Sequence, residues 1–163
     1  KPLPVGWDFN LPESDHLQNP VLAYCLWLLD NPLENIEKIH SRLTFQMYIF
    51  KAVKAASSLY SDLDSLIGSK PSDWVDRLDG IPIIAIYAVY LVTKEQALQT
   101  YVFKWRKIIS HTNGDTLRKR GLIPGKNFQK ILHILRCAWV NGEINSLDSE
   151  EILLNQLIVA ENK

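Results

Sequence analysis

The stretch GDTLRKRGLIPGKNFQKIL, residues 114–132, gathers five cations (Arg118, Lys119, Arg120, Lys126 and Lys130), three glycines and one proline, with Asp115 as its single acid. Residues of these types at this spacing suit the holding of an anion. DTLRKR is long enough for about one and a half turns of helix. Gly121 stands where a left-handed C-terminal stop belongs. LIPG is then a tight link, with Pro124 pre-set to open a second helix in GKNFQKILHIL. The start of such a helix presents backbone N–H groups that lack internal partners, together with partial positive charge. Gly125 leaves no Cβ in the path of a phosphate, Lys126 adds a full charge beside it, and Lys130 follows one turn later. The same devices also build an ordinary solvated corner between helices, and the pattern alone leaves that reading open.

Charge is distributed unevenly around this stretch. Residues 101–136 hold nine cations (Lys104, Arg106, Lys107, Arg118, Lys119, Arg120, Lys126, Lys130 and Arg136) against Asp115, a local net charge of +8 in a chain whose total is zero. The remaining residues therefore carry −8, which predicts one polyanion-facing surface on an acidic body. A short helix, a turn and a longer helix with this charge follow the logic of helix-hairpin-helix elements, which hold nucleic-acid backbone without reading bases. Trp105, between Lys104 and Arg106, could stack on an exposed base. The helical spacing of Tyr101, Trp105 and Ile108 favours a core stripe instead. Trp74 and Trp139 also read as packing residues.

Helical signals position these groups. With 163 residues, 47% of them hydrophobic, the chain can bury a sizeable core and is not disordered. NPVLAYCLWLL predicts a helix capped by Asn19 with Pro20 first, and Asn31 and Pro32 end it. PLENIEKIHSRL and TFQMYIFKAVKAASSLY repeat apolar residues three and four apart. GSKPSDW is a break before a short helix through Leu78. The apolar run IPIIAIYAVYLV, residues 81–92, is too short to span a bilayer and reads as a buried helix. TKEQALQTYVFKWRKIIS predicts one long amphipathic helix, with Thr93 and Gln96 as a capping box. A helix over about 125–140 stops at Asn141 and Gly142, and Ser146 starts a last helix with Asp148, Glu150 and Glu151 in its first turn. No period-two alternation calls for a sheet. The expected fold is all-α, an irregular multi-helix bundle with a helix-hairpin-helix-like C-terminal element, divided into a body-like segment 1–68 and a tail 69–163. Cys25 and Cys137 lie in apolar helical patterns without CxxC spacing, which predicts reduced core thiols and a cytoplasmic setting.

The segment from GDTLRKRGLIPGKNFQKIL through HILRCAWVNGEINSLDSEEILL resembles the C-terminal region of bacterial tRNA nucleotidyltransferases, the CCA-adding and A-adding enzymes related to poly(A) polymerases. In that family a GDDL…LGLxPGPxIGxIL segment precedes an LDGEI run and an acidic last helix. SKPSDWVDRLDGIPIIAIYAVYLV and YVFKWRKI are similar to the same tail, so the likeness covers roughly residue 59 onward and only loosely residues 2–58. Gly114, Asp115 and Leu117 match the start of the segment. Gly121, Leu122, Pro124 and Gly125 match its hairpin, and Leu132 and Gly142-Glu143 match later landmarks. Thr116 replaces the family's second Asp, Lys126 replaces a Pro, and Gln129 falls near a family Gly. The resemblance implies binding to tRNA toward its elbow, with Lys104, Arg106, Lys107, Arg118, Lys119, Arg120, Gly121, Pro124, Gly125, Lys126 and Lys130 as the RNA-binding set. It also implies a separate N-terminal nucleotidyltransferase head that uses Mg²⁺ and ATP or CTP.

The chemistry of such a head is not expected in this chain. It needs a Gly-Ser loop and a strand-borne DxD pair to hold metal for phosphoryl transfer. The DxD here, Asp62-Leu63-Asp64, lies in a helical pattern in which residues two apart do not face one point. His16, His40, His111 and His133 form no metal-ligand spacing, and no catalytic triad is legible. The chain opens on Lys rather than Met, as a piece of a longer protein would. It is therefore expected to be non-catalytic, to hold no cofactor of its own, to bind tRNA and its own head, and to avoid membranes. A helical protein-interaction module and a helix-hairpin-helix DNA-binding domain are the other readings.

Overall fold

The computed structural model describes residues 18–161, with side chains described over 20–160. Among these residues there are nine α-helices, one 3-10 turn and no strand. The helices are α1 (Gln18–Leu28), α2 (Leu33–Leu43), α3 (Met47–Leu66), α4 (Pro71–Leu78), α5 (Ile83–Thr93), α6 (Gln96–Phe103), α7 (Gly114–Lys119), α8 (Lys126–Asn141) and α9 (Leu147–Glu161), and the 3-10 turn is Trp105–Lys107. The all-α expectation is met. No helix among the described residues is long and apolar enough to cross a membrane. The chain folds as two compact units, one from the described part of Lys1–Gly68 with Leu78–Gln99, the other from Ser69–Arg77 with Thr100–Lys163. It therefore passes between units three times rather than once.

The first unit is built on α1, α3 and α5, each packed against the other two, with α2 laid on α3. Its sequence explains the layering. Ala85, Ile86, Tyr87, Ala88 and Val89 are consecutive and all buried, as expected of a helix surrounded on every side. Helix α3 buries one stripe, Ile49, Ala52, Val53, Ala56, Leu59, Leu63 and Leu66, with Ser57 beside it. Between α1 and α2 the chain turns at Asn31, whose carbonyl accepts a 2.7 Å hydrogen bond from the buried Ser57 hydroxyl. A turn carbonyl is thereby satisfied from the neighbouring helix. Asn19 lies within α1, which begins at Gln18, two residues before the start that a cap at Asn19 would set.

In the second unit, Leu117 of α7, Phe128, Ile131 and Leu135 of α8 and Leu154 of α9 form one apolar cluster, joined by Leu122, Leu132, Leu153, Leu157 and Ile158. Helix α4 opens with Pro71 at its first position, where a missing N–H costs nothing. The Asp73 carboxylate accepts from the Lys70 N–H at 3.0 Å. The Ser72 N–H donates to Asn141 Oδ1 at 2.9 Å, fastening α4 to the end of α8.

One expected element is shorter than the periodicity suggested. The long helix foreseen over 93–110 stops at Phe103 and passes through the 3-10 turn into extended backbone at Ile108. Tertiary hydrogen bonds outweigh propensity there. The Arg136 guanidinium donates to the Ile108 carbonyl at 3.1 Å, and the His111 and Thr112 amides turn to Glu150. Nor does Thr93 cap Gln96. It ends α5, its hydroxyl donates to the Val89 carbonyl and accepts from the Glu95 N–H, and Glu95 caps α6 by accepting from the Ala97 N–H at 3.1 Å.

Two glycines of the basic stretch differ in what they demand. Gly121 has φ +83°, a left-handed conformation, whereas Gly125 is extended at φ 169°, and a Cβ on either would meet no atom within 4 Å. Gly121→Ala should therefore cost about 1–2 kcal/mol of stability, and Gly125→Ala close to nothing, as read from urea unfolding midpoints of the two variants.

Candidate nucleic-acid interface

The basic stretch is a helix, a turn and a helix whose joints are capped in different ways. Asn113 opens α7, its Oδ1 accepting from the Thr116 N–H at 3.0 Å. At the far end, the Gly121 N–H bonds the Arg118 carbonyl at 2.9 Å and the Leu122 N–H reaches the Leu117 carbonyl at 3.2 Å. Leu122 packs back on the cluster that holds Leu117, completing a Schellman end. Ile123, at the tip of the turn, is 85% exposed. Pro124 precedes the cap residue Gly125 rather than opening α8, because α8 begins at Lys126. No side chain caps α8, and the Gly125 carbonyl takes the Phe128 N–H at 3.1 Å. The first amides of α8 thus face outward beside Lys126.

The cations have different employments. Lys119, Lys126 and Lys130 are exposed, and no ion pair among the described residues engages Lys119 or Lys126. Arg118 pairs at 3.0 Å with Asp115 on the same exposed face. Arg120 turns away from the turn to α9. Its Nη2 bonds Glu151, at 2.6 Å to Oε2, and its Nη1 donates to Asn155 Oδ1 at 2.8 Å. This hydrogen-bonded guanidinium holds the Glu151 carboxyl below its ordinary pKa. Arg120 is therefore a clamp between the end of α7 and α9. Lys104 and Lys107 are exposed and Arg106 half-exposed, at the corner after α6. The bond from Arg136 to Ile108 sets that corner beside the later part of α8, about 15 Å along the helix from Lys126. The cations are strung along the length of α8, not gathered round one pocket.

What positions this arrangement is Glu150, which the sequence placed only as a first-turn acid of the last helix. It is 2% exposed, and its carboxylate accepts from the Thr112 N–H at 2.6 Å, the His111 N–H at 3.1 Å and the Trp139 indole N–H. The His111 ring meets Trp139 edge-on at 5.4 Å. Burial raises the pKa of such a group, but the donors from Thr112, Trp139 and His111 outweigh it and bring the pKa below normal. The available signal was helical register, since Glu150 shares the face of Leu154, four residues on.

The other sequence candidates sort as follows. Asp62 and Asp64 are exposed on α3. Trp74 is buried and Trp105 half-buried. His40 stacks on Phe50 at 4.1 Å, and His16 lies outside the described residues. Cys25 is a core thiol, its pKa pushed up to about 12 by burial. Cys137 is not: it is half-exposed and stands with Asp76 and His133, their ligand atoms all within 4.8 Å of one another. Sequence spacing could not reveal that trio, because Asp76 comes from a distant helix.

Glu150→Gln should cost about 1–3 kcal/mol, since its amide turns a donor toward donors. Because the folded-state pKa is lowered, the stabilisation is fully present above about pH 4.5 and is lost as pH falls through the lowered value. Unfolding free energies measured from pH 7 to 3 should show this acid-side loss in the parent and a flatter profile in the variant.

Comparison of the chain with protein families, curated proteins and solved structures finds no match.

Proposed function

We propose that this chain is the tRNA-binding C-terminal portion of a tRNA 3′-terminal nucleotidyltransferase, holding the outer part of tRNA so that the acceptor end reaches a catalytic head elsewhere in a longer protein. The observation that carries the reading is the concentration of +8 net charge in residues 101–136, centred on a helix-turn-helix corner whose second helix starts uncapped beside Lys126. The resemblance of GDTLRKRGLIPGKNFQKIL to the family's hairpin supplies the class of ligand. In this reading Lys119, Lys126 and the α8 amides take phosphates, and Ile123 lays an apolar tip on a ribose. Lys104, Arg106 and Lys107 meet the backbone further along α8. A-form RNA closes its major groove to side chains, so recognition runs through phosphates and 2′-hydroxyls, with weak sequence selectivity. The chain alone adds no nucleotide, and CMP or AMP transfer with Mg²⁺ belongs to the head.

Affinity for folded tRNA, measured across a salt series beside duplex DNA of equal length and an acidic polypeptide, tests this. Each phosphate engaged contributes a slope of about 0.7–0.9 in log K against log salt, so four contacts give about −3. Lys119→Glu with Lys126→Glu should lower tRNA affinity at least about tenfold and flatten the slope by roughly two contacts. Equal binding of duplex DNA, preference for the acidic polypeptide, or an unaltered affinity in the double variant would each remove the proposal.

A further inference from the structure

We propose that Asp76, His133 and Cys137 form a binding site for a divalent transition-metal ion of the Zn²⁺ type, which joins α4 to α8 and keeps one coordination position open to solvent. His133 and Cys137 are four residues apart on α8 and so stand one above the other on one face. Asp76 is brought to them by α4, which is fixed by the bond from Ser72 to Asn141 and by the burial of Trp74 and Val75. All three donors thus sit on helices, not on loops, which favours a defined geometry.

Two of the three ligand-atom separations match the edges of a coordination polyhedron and the third is within 4.8 Å; Sγ also lies 3.9 Å from Nδ1, so the exposed imidazole turns on binding to aim Nε2 at the shared point. His133 Nε2 is 3.4 Å from Asp76 Oδ2 and 3.5 Å from Cys137 Sγ. A tetrahedral Zn²⁺, with bonds of about 2.0–2.1 Å to nitrogen and oxygen and about 2.3 Å to sulfur, needs edges of roughly 3.3 Å and 3.6 Å between these atom pairs. One sulfur, one imidazole nitrogen and one carboxylate oxygen also match a borderline ion such as Zn²⁺ or Co²⁺, whereas Mg²⁺ and Ca²⁺ take oxygen sets. On binding, the Cys137 thiol gives its proton to solvent, and thiolate plus carboxylate balance the two positive charges.

A cysteine, a histidine and an aspartate also invite a nucleophilic reading, and the geometry disfavours it. A triad orients the imidazole through one nitrogen and draws the proton with the other. Here the thiol and the carboxylate both approach Nε2 most closely, with Sγ 3.9 Å from Nδ1. The surroundings point the same way. Asp76, Asp73 and Glu143 act on the Cys137 sulfur against the single cation Arg136. An activated thiolate wants cations nearby, while this acidic setting attracts one.

Titration of the reduced chain with Co²⁺, followed by absorbance, tests the site independently of any RNA binding. One Co²⁺ per chain should bind with a thiolate-to-metal charge-transfer band and the visible absorption of a tetrahedral ion. Zn²⁺ should displace it and raise the melting temperature. Cys137→Ser should abolish the charge-transfer band, and Cys25→Ala should leave it intact. Asp76→Asn, at an exposed position, should weaken Co²⁺ binding about tenfold or more without lowering the melting temperature of the metal-free chain. Absence of the band in the reduced parent chain, its survival in Cys137→Ser, or unchanged affinity in Asp76→Asn would overturn the assignment.

Discussion

A carboxylate removed from water is tolerated only when donors surround it, and Glu150 meets that condition with two backbone amides and an indole N–H. Those bonds join three parts of the second unit: the loop at 111–112, Trp139 near the end of α8, and the first turns of α9. Together with Arg136 on the Ile108 carbonyl, they hold the segment that follows the 3-10 turn, in which the helix foreseen through residue 110 would have ended, away from helical geometry. The loop is left extended, and Asn113 can then start α7. Removing the charge at residue 150 would leave unmatched donors in the interior, so this one ion governs where the basic corner begins.

From that anchor the corner is made rigid by small devices. Arg120 leaves the cationic surface to hold Glu151 and Asn155, while Gly121 takes the left-handed turn that brings Leu122 back to the apolar cluster. Lys119 and Lys126 are left at the surface by the same geometry. An arginine inside a basic run thus performs a different task from the lysines beside it. The planar guanidinium spans two acceptors at once, whereas an ammonium presents a compact point charge. A ligand held by the lysines would meet a preorganised surface, with little ordering entropy left to pay on binding.

Much of this was legible from residue order. The punctuation at Pro32, Gly68, Gly121 and Gly142, the apolar periodicity of α3 and α8 and the unbroken apolar run of α5 were enough to expect an all-helical chain. Features that depend on distant partners were not legible. Nothing local distinguishes Glu150 from Asp148 as the buried acid except its register with Leu154. Nothing in the order of residues joins Asp76 to His133 and Cys137, and Cys137 read as a core thiol because its neighbours Leu135 and Ala138 are apolar. The individual uses of Arg118, Arg120 and Lys126 were hidden in the same way, since a count of charge does not say which cation is already engaged.

The central claim is that folded RNA is held on the surface running from residue 104 to residue 130. Backbone amide resonances of the labelled chain, recorded as folded tRNA is added, locate the contact residue by residue. The account predicts that shifts and line broadening concentrate at Lys104, Lys107, Lys119, Ile123, Gly125 and Lys126 and are weak along α1, α3 and α5. Perturbations confined to the first unit, or none at the α7–α8 turn under saturating tRNA, would contradict it.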